Sequence, residues 1–189
     1  MTKAAIRKIY KEKKSLLSVQ EVKKFTDLIL INFQKIQLPF ISCIHTYIAS
    51  EKLGEADTSA LTRYLQFKNP GLKMLVPRID IASGNMQHLH FHDEVELVNN
   101  AFGIAEPVGG ETFSPDEIDL VLVPLLSFDK RGFRVGYGKG YYDKFLTECR
   151  EDVIKIGLSF FEPEERIDDI NEYDIPLNYC VTPQQVFEF

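Results

Sequence analysis

The stretch Leu120-Val-Leu-Val-Pro-Leu-Leu126, followed shortly by Arg134-Val-Gly-Tyr-Gly-Lys-Gly-Tyr-Tyr-Asp143, decides the fold of this chain. The first segment is short, apolar and partly β-branched, which predicts a buried strand. The second segment places Gly136, Gly138 and Gly140 directly ahead of apolar residues at helical spacing. The sequence therefore predicts a strand that leads through a glycine turn into the N-terminus of a helix.

The glycine turn, residues 136–140, is predicted to bind phosphate. Glycine lets the backbone come close to a ligand, and a helix N-terminus offers unpaired amide donors and a positive dipole end. Arg134 and Lys139 add positive charge, and Asp143 adds a carboxylate within reach of a metal ion carried by a phosphate. Two familiar signatures do not fit, because a Walker loop needs Ser or Thr where Gly140 stands and a dinucleotide fingerprint needs glycine where Tyr141 stands. An ordinary solvent-exposed loop is the alternative interpretation.

Outward from this unit, helices and strands alternate along the chain. Thr2 is a good N-cap for a first helix that runs to about residue 17, and Ser18-Val-Gln-Glu21 forms a capping box that starts a second one. Asp57 or Thr58 is predicted to cap a third helix. Further strands are predicted at residues 41–48, 72–76, 86–92, 153–158 and 180–182. Strands separated by helices predict an α/β fold with a mainly parallel sheet covered on both faces.

Composition bounds the domain count and excludes several classes of function. A chain of 189 residues with 44% hydrophobic content suits one domain, residues 1–189. A net charge of -6 argues against a nucleic-acid binder. Lys11, Lys13 and Lys14 are interpreted as the solvated side of the first helix. The first residues lack an apolar segment of signal-peptide length, and nothing later approaches a membrane span, so we expect a cytoplasmic protein without a membrane partner.

Two groups of possible metal ligands are interpreted as structural. His88, His90 and His92 alternate with apolar residues, so all three imidazoles share one face of a strand. His88 and His92 would lie ~13 Å apart on a strand that rises ~3.3 Å per residue, too far for one ion. We interpret these histidines as the solvent-exposed side of an edge strand. The cysteines are widely spaced and are interpreted as small core residues: Cys43, Cys149 and Cys180.

The passage Val123-Pro-Leu-Leu-Ser-Phe-Asp129, together with Arg134 to Asp143, closely resembles the signature of the 5-formyltetrahydrofolate cyclo-ligase family, also called methenyltetrahydrofolate synthetases. The resemblance covers nearly the whole chain. Its weaker parts are Lys3 and Arg7 on the first helix and the segments Glu55-Ala-Asp-Thr58, Val76-Pro77-Arg78, Gly103-Ile-Ala-Glu-Pro107 and Tyr173-Asp-Ile-Pro176. The resemblance implies a three-layer α/β/α arrangement like that of sugar-phosphate isomerases and coenzyme A transferases.

The resemblance also implies a reaction. In it, ATP drives the conversion of 5-formyltetrahydrofolate to 5,10-methenyltetrahydrofolate, with release of ADP and phosphate. The formyl oxygen is phosphorylated to an iminium phosphate, which the neighbouring folate amine attacks to form the new carbon–nitrogen bond. The expected cofactor is Mg²⁺, and the expected partners are the two small-molecule substrates, with a monomer favoured as the oligomeric state.

Roles for individual residues follow from the same resemblance. Arg134 and Lys139 are expected to be catalytic, Glu55 and Tyr141 to bind the folate, and Asp143 and Asp174 to bind the metal. The nucleotide is expected to contact Lys3, Arg7, Arg134, Gly136, Tyr137, Gly138, Lys139, Gly140, Tyr141 and Tyr142. By helical spacing, Tyr142 should join the apolar stripe of its helix while Tyr141 faces the ligand.

Alternatives to this interpretation concern the role of Glu55 and the functional class of the protein. Glu55 could be an ordinary loop acid ahead of a helix. Because fold does not fix function, a coenzyme A transferase is one competing possibility, and Glu106 is its best placed glutamate nucleophile. The neighbours of Glu106, Ile104 and Pro107, belong to the ligase pattern instead. A binding protein that had lost catalysis would be expected to lose the charges of the site as well.

Overall fold

The computed structural model describes residues 1–80, 83–92, 94–100 and 103–189. Its α-helices are α1 (Lys3–Ser15), α2 (Val19–Phe33), α3 (Ser59–Lys68) and α4 (Tyr141–Glu148). The predicted N-caps of the first two helices are confirmed. The hydroxyl of Thr2 accepts from the amide of Ala5, and Ser18 and Glu21 form a reciprocal capping box. Short 3-10 turns lie at Glu51–Leu53 and Pro115–Glu117.

The strands that the structure describes are short. They are β1 (Cys43–His45), β2 (Lys73–Asp80), β3 (Asn85–His90), β4 (Leu97–Asn99), β5 (Ala105–Pro107), β6 (Thr112–Phe113), β7 (Leu120–Val123), β8 (Ser127–Phe128), β9 (Arg134–Val135), β10 (Ile154–Leu158), β11 (Tyr179–Val181) and β12 (Val186–Glu188). Eight of them form one sheet in the order β12-β11-β10-β7-β1-β2-β3-β6. The remaining strands form two antiparallel pairs, β4 with β5 and β8 with β9.

The sheet is mixed and mostly parallel, as the sequence predicts. Strands β11, β10, β7, β1 and β2 run parallel through its centre, while β12 joins one side and β3 and β6 join the other in antiparallel orientation. Strand β7 is buried along its whole length, which accounts for its continuous apolar sequence.

Helices pack against both faces of the sheet. On one face, Phe33 of α2 and Leu65 of α3 belong to a buried cluster with strand residues such as Leu122. On the other face, Phe145 and Leu146 of α4 pack into a second cluster. Removing a buried aromatic side chain such as Phe145 typically costs ~3–5 kcal/mol, because the space left behind cannot fully collapse.

Helix α1 packs outside these two clusters, at the end of the sheet where the glycine turn lies. Ile6 and Tyr10 are buried against Leu126, Val135 and Ile167. This contact brings the outward side of α1 to the glycine turn that follows β9. The fold thus places the N-terminal helix and the central signature, distant in sequence, next to each other.

The observed elements differ from the predicted ones mainly in length. The strand predicted at residues 41–48 is limited to Cys43–His45, and the segment predicted at 86–92 ends at His90. The sequence did not indicate the pairs β4–β5 and β8–β9 or the edge strands β6 and β12, which are two or three residues long. Within the described ranges, no helix has the combination of length and apolar character that crossing a lipid bilayer requires.

Candidate active site

A cavity of about 820 Å³ opens between α1, the glycine turn and the segments that follow β1 and β7. Every residue that the sequence predicted for the site lines it. They are Lys3, Arg7, Glu55, Arg134, Gly136, Tyr137, Gly138, Lys139, Gly140, Tyr141, Tyr142, Asp143 and Asp174. The structure therefore brings the predicted residues together, while their individual roles stay predictions.

The backbone of the glycine turn takes conformations that favour glycine. Gly138 has a φ of 97° and Gly140, the N-cap of α4, has a φ of 72°, both in the left-handed region. A side chain at Gly138 would also crowd Arg7, because its Cβ would lie 3.2 Å from the Arg7 Nε. That Nε donates to the carbonyl oxygen of Gly136 at 3.0 Å. The turn is thus held against α1 and ends at the free amides of a helix N-terminus.

Two ion pairs join cations and carboxylates at this end of the cavity. The Nζ of Lys3 donates to Oδ1 and Oδ2 of Asp174 at 2.6 and 2.5 Å. The guanidinium of Arg134 is almost fully buried and donates to Oδ1 of Asp143 at 2.7 Å and to the carbonyl oxygen of Ile175. Lys139, by contrast, has no hydrogen bond or ion pair to any residue in the described ranges. Its charge is therefore available to a ligand.

The carboxylates of Asp143 and Asp174 are oxygen ligands of the kind that Mg²⁺ prefers. Oδ1 of Asp143 accepts from Arg134, and no described group donates to its Oδ2. Both oxygens of Asp174 already accept from Lys3. Asp143 can thus accept a cation as it stands, whereas Asp174 must first release Lys3. Such a donor set fits Mg²⁺, which takes one or two carboxylates and completes its shell with phosphate oxygens and water.

Glu55 lies at the other end of the cavity, in the loop after β1. Its Oε2 accepts from the backbone amide of Ser50 at 3.0 Å, which fixes the side chain. Burial raises the pKa of Glu55, while the Ser50 amide and the charge of Lys14 act in the opposite direction. Burial, reinforced by the Glu55 carboxylate, also raises the pKa of Tyr137, so its phenol stays protonated.

An apolar wall that the sequence analysis did not identify completes this end of the cavity. It consists of Tyr47, Ile48, Leu53, Pro77, Ile79, Met86, Ile104 and Ala105. Several of these residues lie at or just beyond the carboxyl ends of β1 and β2, where open α/β sheets bind their ligands. That rule, applied to the predicted strands, could have found Tyr47 and Ile48. Only the strand pairing could reveal Met86 and Ile104.

Glu106 belongs to the same wall. It is 8% exposed, and its Oε1 accepts from the backbone amide of Ile79 at 3.1 Å. This contact ties β5 to β2 and places the carboxylate among apolar neighbours.

The positions of Tyr142 and Tyr141 follow the helical spacing. The ring of Tyr142 packs 6.0 Å from that of Phe145 and 6.1 Å from that of His45, measured between centroids, so its predicted place in the apolar stripe is confirmed. Its hydroxyl has no hydrogen-bond partner in the described part of the protein and borders the cavity. Tyr141 is half-buried at the cavity wall.

The interpretation of the three histidines as the solvent-exposed side of an edge strand is wrong for His88. That residue is 4% exposed, because β6 pairs with β3 and α4 covers this face of the sheet. Its ring lies 4.3 Å from Phe145 and 5.1 Å from the fully buried His45. Burial lowers the pKa of His88 to about 4 and that of His45 well below its usual value. His90 and His92 remain partly exposed.

The interpretation of Lys14 as a solvated residue is also wrong. Its side chain turns inward from α1 and is 9% exposed, with Nζ donating to the carbonyl oxygen of Leu125 at 3.1 Å. Burial lowers the pKa of Lys14 to about 8. Lys11 and Lys13 are exposed, as predicted.

Comparison with known proteins identifies a single family. Residues 2–183 match the model of the 5-formyltetrahydrofolate cyclo-ligase family. The chain is 32% identical to the mitochondrial 5-formyltetrahydrofolate cyclo-ligase of Arabidopsis thaliana over 171 residues, which cover 78% of this chain and 62% of the relative. It is 31% identical to the 5-formyltetrahydrofolate cyclo-ligase of Escherichia coli K12 over 141 residues, covering 72% of this chain and 76% of the relative.

Solved structures of methenyltetrahydrofolate synthetases are similar to this chain in fold. The 5,10-methenyltetrahydrofolate synthetase of Aquifex aeolicus superposes with a TM-score of 0.80 at 29% identity, covering 100% of this chain and 93% of the other. The synthetase of Mycoplasma pneumoniae superposes with a TM-score of 0.75 at 23% identity, covering 97% and 99%. The second match supports the fold alone.

Proposed function

Since the chain belongs to the 5-formyltetrahydrofolate cyclo-ligase family, we propose that it converts 5-formyltetrahydrofolate to 5,10-methenyltetrahydrofolate at the expense of ATP. The observation that carries the proposal is one continuous cavity, which joins a charged glycine turn to an apolar wall that carries the carboxylates of Glu55 and Glu106. The first end suits a nucleotide polyphosphate and the second suits a flat, amino-substituted ring.

The charged end would bind ATP. The amides of the glycine turn and of the first turn of α4 point positive charge at the phosphates. Lys3, Arg7, Arg134 and Lys139 surround the same space. The stabilisation that a nearby cation provides increases as negative charge moves during phosphoryl transfer. We therefore assign Lys139 and Arg134 to stabilising the transferring phosphoryl group.

The reaction needs positioning more than covalent chemistry from the protein. The formyl oxygen is a poor leaving group, so it first attacks the γ-phosphorus of ATP and ADP departs. The neighbouring folate amine then attacks the activated formyl carbon and loses its proton. Phosphate leaves with the former formyl oxygen, and the ring is closed. Holding the formyl oxygen in line with the γ-phosphorus and the departing ADP oxygen, and the amine beside the formyl carbon, supplies much of the rate enhancement.

Asp143 and Asp174 would hold Mg²⁺ beside the phosphates. The ion would neutralise negative charge on the phosphates and orient them for transfer. Lys3 is then free to exchange Asp174 for a phosphate oxygen, because both partners are anionic and lie on the same cavity wall.

The apolar end would bind the folate. Glu55 is placed to accept hydrogen bonds from the amino-pyrimidine edge of the pterin, and two charge-assisted bonds to one carboxylate would fix the ring's orientation. Tyr141 lines the wall between the two ends and would contact the folate as well as the nucleotide. The alternative role for Glu106, as an acyl-accepting nucleophile, fits less well because its neighbours Ile104 and Pro107 belong to the ligase pattern.

The proposal also includes the fold, the number of domains, the cellular location and the oligomeric state of the protein. Helices on both faces of the sheet support a three-layer α/β/α fold like that of sugar-phosphate isomerases and coenzyme A transferases. We assign the chain to one domain, a cytoplasmic location and a monomeric state, with no nucleic-acid partner. The net charge of -6 supports the last of these.

The decisive experiment is an absorbance assay. Purified protein, 5-formyltetrahydrofolate, Mg²⁺ and ATP should produce the near-ultraviolet absorbance of the methenyl product, together with stoichiometric ADP and phosphate. Reactions without ATP and reactions with a non-hydrolysable ATP analogue are the controls. Absence of an ATP-dependent rise, in protein that is folded and binds ATP, would contradict the assignment.

A further inference from the structure

The ammonium group of Lys14 lies behind the folate end of the cavity, where its chemistry is unusual for a lysine. The side chain leaves α1 on the inward side and is 9% exposed. Its Nζ donates to the carbonyl oxygen of Leu125 at 3.1 Å and lies 5.9 Å from the centroid of the Phe160 ring. Lysine is seldom this buried without a carboxylate hydrogen-bonded to it. The burial therefore requires a reason beyond packing.

The loop that carries Glu55 is packed directly on Lys14. A Cβ built at Gly54 would lie 3.5 Å from the Cβ and 3.8 Å from the Cδ of Lys14, so the loop backbone rests on the lysine stem. Gly54 has a φ of 59°, which lets the chain turn over the stem and present Glu55 to the cavity. The position of the Glu55 backbone thus depends on the Lys14 side chain beneath it.

The two side chains also act on each other electrostatically. Glu55 is the charged residue that raises the pKa of Lys14, and Lys14 is the charged residue that lowers the pKa of Glu55. Burial acts on each in the opposite direction, so each charge helps to keep the other group ionised, together with the Ser50 amide in the case of Glu55. In a buried environment, such an interaction is screened far less than at the surface.

The other ionisable groups around Glu55 do not substitute for Lys14. Tyr47 after β1, Tyr137 on the glycine turn and Tyr142 on α4 stay protonated, because burial raises the pKa of each phenol. Asp57 accepts from Ser59 and is exposed. Lys11 lines the same cavity, but its side chain is exposed to solvent.

We propose that Lys14 is a positioning residue for folate, which supports the Glu55 loop and supplies the buried positive charge that keeps the Glu55 carboxylate able to accept hydrogen bonds from the pterin. The proposal rests on the proposed function of Glu55 as the folate ligand. It assigns Lys14 no contact with ATP or with the reacting atoms. Loss of the charge should therefore weaken folate recognition and leave phosphoryl transfer intact.

The main test replaces Lys14 by methionine, whose unbranched chain matches the lysine stem as far as Cε and carries no charge. In Lys14→Met, KM for 5-formyltetrahydrofolate should rise about tenfold on the acid limb of its pH profile, where the Glu55 carboxyl is mostly protonated, the equivalent of one pKa unit in that carboxyl. KM for ATP and kcat at saturation should stay within about twofold. The acid limb of the pH profile of kcat/KM for folate should move to higher pH by about one unit. Lys8→Met, an exposed change on the same helix, is the matched control and should change neither parameter.

Additional variants separate charge from structure. Lys14→Gln keeps a neutral donor near the Leu125 carbonyl, one bond short of Nζ, so it is the second variant if Lys14→Met does not fold, and it should show the same shift in the pH profile. Glu55→Gln should remove the acid limb, and adding Lys14→Met to it should cost much less than in the wild type, because the two residues act through one interaction.

Calorimetric binding of 5-formyltetrahydrofolate without ATP keeps this test independent of turnover. A wild type that binds folate but forms no methenyl product would overturn the proposed function and still report on Lys14. An active wild type whose Lys14 variants keep both the folate affinity and the pH profile would overturn the inference alone. Equal losses in the Glu55→Gln and wild-type backgrounds would also overturn it, because they would indicate a purely structural role for Lys14.

Discussion

The two ends of the cavity use charge in different ways. At the end near the glycine turn, Lys3 and Arg134 are paired with Asp174 and Asp143, and these partners can be exchanged when other anions or cations arrive. At the Glu55 end, the charges are few and buried, and the neighbouring phenols stay protonated. The difference agrees with the proposed functions, in which the first end would stabilise charge that moves and the second end would recognise a fixed pattern of hydrogen-bond donors.

The largest effect should come from the cation that lacks a partner. Lys139→Ala should lower kcat about a hundredfold, because losing one contact that strengthens in the transition state commonly costs ~3 kcal/mol. KM for folate should change little, since Lys139 lies at the other end of the cavity. Steady-state kinetics with each substrate varied in turn would measure both.

Lys130→Ala is a suitable control for this change. Lys130 is an exposed lysine in an ion pair with Glu165, away from the cavity, and exposed pairs contribute little to stability. A Lys139 variant with normal turnover at saturation and a weakened folate affinity would reverse the functions assigned to the two ends.

The second prediction concerns the buried contact between His45 of β1 and His88 of β3. The pKa of His88 is about 4 in the folded protein and ~6.5 in the unfolded chain. The unfolded state therefore binds more protons between these values, so the free energy of unfolding should fall as pH drops from about 6.5 to 4. For His88 alone the loss approaches roughly 3 kcal/mol, at 1.36 kcal/mol per pKa unit.

Replacing both histidines by apolar residues of similar size tests this sign. In His45→Phe/His88→Leu, chemical denaturation should show a smaller loss of stability between pH 6.5 and 4 than in the wild type. The comparison of slopes matters, because carboxylates such as Asp119, whose pKa is lowered by hydrogen bonds to Ser42 despite burial, add their own acid sensitivity to both proteins. Equal slopes in the two proteins would show that the histidines are not buried in the neutral form.

The third prediction tests whether Asp143 and Asp174 act through one metal ion. Asp143→Asn and Asp174→Asn should each raise the Mg²⁺ concentration needed for half-maximal activity about tenfold, the typical cost of weakening a metal site. The double variant should cost less than the sum of the two in free energy, because both residues would contact the same ion. Strictly additive costs would assign them separate functions.

Thermal unfolding of the same variants provides the control. Asp143→Asn leaves the buried Arg134 with less compensation, so it should lose more stability than Asp174→Asn, whose partner Lys3 lies nearer the surface. Loss of activity that follows stability rather than Mg²⁺ concentration would argue against a metal function.

Local signals in the sequence predicted the parts of the fold that depend on neighbours in the chain. The glycine turn leads into α4 as predicted, because glycine conformations and helix caps are decided within a few residues. The two N-terminal helix starts were found for the same reason. The grouping of Lys3, Arg7 and Asp174 with the glycine turn was available only through the family resemblance.

Burial that depends on distant partners could not be predicted. His88 alternates with apolar residues as an edge strand would, but β6, more than 20 residues away, pairs with its strand and α4 covers it. Lys14 fits the polar pattern of α1, yet the carbonyl oxygen of Leu125 accepts its ammonium group. In both cases a single residue pattern is compatible with two environments, and the tertiary contact decides between them.

The smallest expected effect concerns the remaining histidines of this part of the chain, His90 and His92. His90 and His92 are partly exposed, with ring centroids 5.5 Å apart, and neither lines the cavity. Neither is buried as His88 is, and an Mg²⁺-dependent reaction uses oxygen rather than imidazole ligands. His90→Gln/His92→Gln should therefore keep kcat and both KM values within about twofold, with surface substitutions costing no more than ~0.5 kcal/mol each in stability. Metal analysis of the purified parent should show no stoichiometric zinc. Bound zinc that the double variant loses, or a collapse of activity in a variant that remains folded, would extend the functional site to this part of β3 and the segment after it.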